Sequence, residues 1–246
     1  MDEYPARRRL LGQSDPPRNR PERERGPETP DVVDDDFDLY GAEDAAAALV
    51  ERLKGVQPAA VLRADDGEPL LSPTFDPGRD RIDGRVGAPR SLVVFGAFGT
   101  PASQGLGRLL DEVPERFVTS VDVAWRHYPD PDAHPRAAVL ALAAEASAAI
   151  HTFWSLAHEL LRLRHNDPID LHAAMQRARL DPKRALGAMR DGIGTDRIIE
   201  DVASALASGV TYSPTMFIDG RRYRGELEAQ ALARELDGPP SHRTSR

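Results

Sequence analysis

The stretch Ser91–Leu110, SLVVFGAFGTPASQGLGRLL, constrains the fold of this chain more than any other. A continuous apolar run closed by glycine is the pattern of a strand buried on both faces, and Leu106, Leu109, Leu110 and Val113 then recur at helical spacing. Between the two, Thr100 supplies an N-cap hydroxyl. Pro101 suits a first helical residue, because it has no N–H to leave unsatisfied and its φ is already helical. A strand that passes into a helix through so short a turn presents the helix N-terminus, with its unpaired N–H donors and partial positive charge. Ends of this kind stabilise thiolates, phosphates and other anions. The side chains offered here are the hydroxyls of Thr100 and Ser103.

The rest of the chain reads as an α/β domain around that strand. Phe117–His127 alternates, with Phe117, Val121, Val123 and Trp125 on one face and Ser120 and Asp122 on the other, which predicts a second strand. Ala42–Leu53 predicts a short amphipathic helix and Ala59–Arg63 a short strand, while Ser72–Ala88 reads as a Pro-, Gly- and Asp-rich connector. Ala137–Leu163 predicts two helices that bend near His151. Further helices are expected from a cap at Asp170 to Ala178, from Asp181-Pro182, and over Asp196–Ser208 with Gly209 at its end. Asp219-Gly220 is a two-residue hairpin signal after the strand Met216–Ile218, with Tyr223-Arg224-Gly225 in the returning strand and Leu227–Leu236 as a closing helix.

The strand, the turn Thr100-Pro101-Ala102-Ser103 and the helix resemble the active-site segment of the DsbA-like branch of the thioredoxin superfamily, where the turn is Cys-Pro-x-Cys. More than a hundred residues later Thr211-Tyr212-Ser213-Pro214-Thr215 resembles the Thr/Ser-Pro-Thr segment that precedes a strand and hairpin in that superfamily. Asp76-Pro77-Gly78-Arg79-Asp80-Arg81-Ile82-Asp83-Gly84 is similar to the lead-in of DsbA-like domains fused to some NhaA-type sodium/proton antiporters. The resemblance covers roughly 76–236. It implies a thioredoxin-like fold with an all-helical insertion at about 134–208, a cis Ser213-Pro214 bond facing Thr100, and a ligand groove formed by Thr100, Pro101, Ala102, Ser103, Ser213 and Pro214. On this reading residues 1–40 are a disordered charged tail, 41–87 a short helix and connector, 88–236 the DsbA-like domain and 237–246 a loose end.

The chain departs from that pattern at its chemical centre, because both cysteine positions carry hydroxyls and its 246 residues include no cysteine. Forty acidic against 32 basic residues, net −8, argue against a nucleic-acid surface. No apolar run approaches the roughly 20 residues that span a bilayer, and the first 40 residues hold no signal-peptide core, so a cytoplasmic location is expected. Gly96-Ala97-Phe98-Gly99 with Asp122 is a degenerate dinucleotide-binding turn, opposed by Pro101 and by Ala102 where a third glycine belongs. His151, His158, His165 and His172 recur every seven residues, roughly 10 Å apart along a helix, too far for one ion. Neither a metal nor a cofactor is expected.

The expected function is therefore a non-redox, non-catalytic module that binds a protein or peptide in the groove. A kappa-type glutathione transferase using Thr100, with glutathione as cofactor, is the alternative, and a structural holder for the charged tail is the second. Thiol–disulfide exchange requires a sulfur nucleophile to form the mixed disulfide, so the purified chain should not reduce insulin disulfides; turnover in a preparation free of contaminating oxidoreductase contradicts this reading.

Overall fold

The apolar run at the centre of the sequence is the central strand of a mixed sheet. The computed structural model describes residues 39–238 apart from 58, 84–85, 118 and 164–167, so all but the inner ends of the expected disordered tail (1–40) and loose C-terminus (237–246) lies outside the described residues, while Tyr40 already opens a helix and Asp237 closes one. In chain order the elements are α1 (Tyr40–Lys54), β1 (Arg81–Asp83), β2 (Arg90–Gly96), α2 (Pro101–Phe117), β3 (Val121–His127), α3 (Ala137–Ala148), α4 (Phe153–Leu161), α5 (Pro168–Arg177), α6 (Pro182–Arg190), α7 (Thr195–Ala207), β4 (Thr215–Ile218), β5 (Arg221–Arg222) and α8 (Ala229–Asp237). The sheet order is β1-β3-β2-β4-β5. Strands β2 and β3 run parallel, joined by α2 as a βαβ unit, and the other pairs are antiparallel. Five helices, α3 to α7, fill the chain between β3 and β4, which is the all-helical insertion of the DsbA-like architecture.

Alternation along the strands sorts their side chains into two cores. Leu92, Val94, Val121, Val123, Trp125, Met216 and Ile218 join the larger one with α1 to α8. Val93, Phe95, Ala124 and Phe217 pack on the other face against Leu71, Ala205 of α7 and Val210. Gly96 ends β2 where a side chain is impossible: a Cβ there would lie 2.1–2.7 Å from ring atoms of Trp125. Trp125 in turn stacks on Phe98, with ring centroids 4.6 Å apart. At the β4–β5 turn Asp219 and Gly220 both adopt positive φ, 49° and 83°, as a two-residue hairpin with the right-handed sheet twist requires. Asp219 also accepts from Ser91 N–H at 2.9 Å and pairs with Arg90 at 2.8 Å, fastening the turn to the start of β2.

Several local expectations need correction. Residues 59–63 form no strand; Arg63 bridges Pro69 in a small hairpin around Asp65-Asp66-Gly67, and Leu70 bridges Arg221. Phe117 closes α2 instead of opening β3, helix α5 begins at Pro168 with Asp170 inside its first turn, and β5 stops at Arg222. The stretch read as a connector contains β1, an edge strand on β3. Three residues, two of them charged, give no apolar alternation to read, because their charges point into ion pairs.

Those pairs bolt the lead-in to the domain. Arg126 and Asp80 are both fully buried and meet in a two-pronged pair at 2.8 and 2.9 Å, while Arg126 also donates to Ser204 Oγ and to the carbonyls of Pro73 and Thr74. Burial pushes the Asp80 carboxyl up, but the hydrogen bonds and charge of Arg126 more than offset it and hold it below the usual range. Arg79 pairs with Asp201 of α7 at 3.0 Å. Arg81 reaches Glu145 of α3 at 2.6 Å, and His127 Nε2 lies 3.1 Å from the same carboxylate. For Glu145 the burial penalty is outweighed by hydrogen bonds from His127 and Arg81, which bring it to about 2. Asp83 takes Nε2 of His158 at 3.1 Å while Asp111 of α2 takes Nδ1 at 3.2 Å. Carboxylates only accept, so both ring nitrogens must carry protons for both bonds to form. The hydrogen bond to Asp83 raises the His158 pKa, against burial, with the charges of Asp83 and Asp111 adding to it and Arg162 opposing.

Gly96→Ala should lower stability by about 1–3 kcal/mol or more, the usual range for overpacking a filled site, in a denaturant titration; an unchanged midpoint would mean that the Trp125 ring can move aside. Stability should also depend on pH at both ends. Glu145, lowered from 4.5 to about 2, contributes stability that is complete above its unfolded value and is lost as pH falls towards 2. His158, raised above 6.5, contributes stability that is complete below 6.5 and is lost as pH rises through its folded value. Glu145→Gln should cost about 3–5 kcal/mol on the plateau, the scale for breaking a buried pair, and Asp83→Asn should flatten the alkaline limb; an alkaline limb that survives Asp83→Asn contradicts the His158 clamp.

Candidate functional site

The turn after β2 is built by reciprocal capping. Gly99 takes a positive φ of 70° that carries the chain from the strand into α2. Thr100 Oγ1 accepts from Ser103 N–H at 3.2 Å, and Ser103 Oγ accepts from Thr100 N–H at 3.1 Å while donating to the Thr100 carbonyl at 2.6 Å. This is the logic of the capping box, with serine in the place usually held by Glu or Gln. Both side chains are buried, whereas Pro101 and Ala102 between them are exposed. The two hydroxyls are thus engaged with the helix end. Among the described residues their hydrogen bonds are all to the helix end itself.

The second wall comes from the loop before β4. Phe95 of β2 pairs with Thr215, which puts Ser213 and Pro214 just beyond the C-terminal end of β2, the end from which the Thr100 turn springs. The Ser213–Pro214 bond is cis, as is Ser72–Pro73. Thr215 Oγ1 donates to the Tyr212 carbonyl at 2.8 Å and pins the loop. Pro214 is buried, Ser213 half-buried and Tyr212 57% exposed. Continued pairing would join Ser213 to Ala97, but that bond is not made, and among the described residues neither Ser213 N–H nor its carbonyl has a hydrogen-bond partner. The register therefore brings Thr100, Pro101, Ala102, Ser103, Ser213 and Pro214 to one end of the sheet, with an unpaired peptide group on one side.

Beneath the turn lies a polar layer that sequence reasoning missed. Phe98 packs on Trp125 and edge-on to His127, Trp125 Nε1 donates to His127 Nδ1 at 3.4 Å, and His127 Nε2 turns to Glu145. An indole N–H only donates, which leaves Nδ1 as acceptor and makes Nε2–H the donor to the Glu145 carboxylate. His127 N–H donates to Asp201 at 2.9 Å, and burial raises the Asp201 carboxyl despite Arg197, His127 and Arg79. The signal for this layer was available as Arg126 inside an apolar strand and Glu145 inside an alanine-rich helix, both charges where only burial surrounds them.

The competing chemistries lose their geometry. Asp122 accepts from Gly87 and Ala88 N–H at the start of β3, opposite Ser91, so it lies at the other end of the sheet from Gly96–Gly99 and cannot serve a dinucleotide there. Gly96 is needed by Trp125 and not by a pyrophosphate. Among the described residues no group of three or more His, Cys, Asp or Glu is arranged to hold a metal ion, and His165 lies outside them. No helix among them is long and apolar enough to cross a membrane. A cleft of about 640 Å³ opens away from the turn, between the β4–β5 hairpin and α8, lined by Arg221, Arg222, Tyr223, Arg224 and Arg234 among others.

No protein-family model matches the chain. Among curated proteins it is 38% identical over 179 residues to the sodium/proton antiporter NhaA 3 of Salinispora tropica, covering 71% of this chain and 27% of that protein. It is 35% identical over 176 residues to NhaA 1 of Mycolicibacterium gilvum, covering 70% and 28%. The chain thus spans about a quarter of the length of these relatives. Among solved structures, oxidised BdbD from Bacillus subtilis superposes with a TM-score of 0.58 at 13% identity, covering 68% of this chain and 96% of that one. Wolbachia pipientis alpha-DsbA1 gives 0.57 at 16%, covering 67% and 92%. With the βαβ unit, the helical insertion and the cysteine-free turn all in place, the chain has the DsbA-like thioredoxin fold without the Cys-x-x-Cys motif, and its sequence is similar to a part of NhaA-type antiporters.

Proposed function

We propose that this chain is a non-redox DsbA-like module that binds an extended protein or peptide segment across the Thr100 turn and the Tyr212–Pro214 loop. The observation that carries this reading is the unpaired peptide group of Ser213 beside the exposed Pro101 and Ala102. A strand-like segment laid there would satisfy that N–H and carbonyl by β-augmentation, taking its affinity from main-chain hydrogen bonds. Without sulfur at positions 100 and 103, and with both hydroxyls occupied in capping, such a segment would be held and released unchanged. The antiporter relatives carry the corresponding domain in the same polypeptide as their transporter, which supports a role in holding a partner segment. Transport itself is not assigned to this chain.

The test is a peptide array of unbiased twelve-residue sequences probed with the full chain and with Ala102→Arg. Ala102 is exposed, so the arginine leaves the fold alone and fills the groove. Binding of a subset of peptides that falls at least about tenfold with Ala102→Arg, as expected for a blocked contact worth 1.4 kcal/mol or more, supports the reading. An empty array, or binding indifferent to Ala102→Arg, overturns it. Calorimetry with millimolar glutathione should give no heat of binding; a Thr100-dependent signal would favour the transferase instead.

A further inference from the structure

The loop that presents Ser213 also holds a cation in waiting. Arg222 of β5 lays its guanidinium 5.3 Å from the centroid of the Tyr212 ring and donates from Nη1 to the Gly209 carbonyl at 3.0 Å. Its Nε is buried with no acceptor. The neighbouring arginines are neutralised by the hairpin at 63–69, Arg221 by Asp66 and Arg224 by Glu68. Among the described residues Arg222 has no carboxylate partner. A half-buried guanidinium with an unsatisfied N–H loses hydration without recovering it from a counter-ion, and its stacking on Tyr212 fixes its plane for two-pronged recognition of a carboxylate.

Tyr212 is next in the chain to Ser213, so the unpaired peptide group and the uncompensated cation belong to one loop. We propose that the segment bound in the groove is acidic: its backbone pairs with Ser213 and one of its Asp or Glu side chains is received by Arg222. This rests on the groove reading above and adds the chemical class of the occupant. The pairs of Asp66 and Glu68 with the flanking arginines show the same surface already taking carboxylates from within the chain. Tyr212, exposed beneath the guanidinium, gives the approaching segment an apolar face to cover.

The experiment uses the same twelve-residue array with every peptide present in Asp, Asn and Lys versions at each position, probed with the full chain and its Arg222→Gln, Arg222→Lys and Arg234→Gln variants. Bound peptides should be enriched in Asp or Glu at one fixed position, with the Asp version about tenfold or more tighter than the Asn version, the scale of a charged hydrogen bond. Arg222→Gln should abolish that Asp-over-Asn discrimination, Arg222→Lys should retain part of it, and Arg234→Gln should leave it intact. Discrimination that survives Arg222→Gln, or peptides bound in an Ala102-dependent way without acidic preference, overturns this inference and leaves the groove reading standing. An array that binds nothing overturns both.

Discussion

The pair between Arg126 and Asp80 holds the architecture in register. Arg126 sits on the sheet face that carries Val93, Phe95, Ala124 and Phe217, and a fully buried guanidinium there is tolerated only because five donor contacts meet acceptors: two on Asp80, one on Ser204 and two on backbone carbonyls. Those acceptors come from the lead-in before β1 and from α7, so one side chain ties three separate parts of the chain. Replacing such a pair by apolar residues is often neutral, but removing one partner strands the other. The lead-in follows suit along its length, with Arg79 on Asp201, Arg81 on Glu145 and Asp83 on His158.

This arrangement also bears on the Thr100 turn. Glu145 is shared by Arg81 and His127, His127 is packed against Phe98, and Phe98 immediately precedes Gly99 and the turn. A continuous set of packed and hydrogen-bonded groups therefore runs from the edge strand to the start of α2. The turn is closed by its own two hydroxyls and supported from below by a stacked Phe98–Trp125 pair.

What the sequence made legible were features whose physics is local. The buried run of β2, the alternation of Val121, Val123 and Trp125, the Thr100-Pro101 helix start, the Asp181-Pro182 start, where Asp181 caps the Lys183 N–H at 3.0 Å, and the Asp219-Gly220 turn each follow from a short-range rule. What stayed hidden depends on partners far along the chain. Strand β1 has no apolar period because its charges are answered 64 and 75 positions away, Arg81 by Glu145 and Asp83 by His158. Gly96 looked like part of a nucleotide turn because the tryptophan that needs its missing side chain lies on the next strand. Tyr212 and Arg222 carry no motif; a loop and a two-residue strand bring them together.

The bolted lead-in redraws the smallest piece of this chain that can stand alone. Judged from composition, a tidy boundary falls at about residue 88, just before the central strand. Cutting there would take Asp80, Arg79, Arg81 and Asp83 from Arg126, Asp201, Glu145 and His158, and would leave the fully buried Arg126 without its carboxylate. Breaking that one buried pair costs about 3–5 kcal/mol, a large part of a domain's whole stability of about 5–15 kcal/mol. The autonomous unit starts before Ser72, whose backbone still receives the hydroxyls of Ser204 and Ser208, so the part of the chain that composition marks as a connector belongs to the folded body.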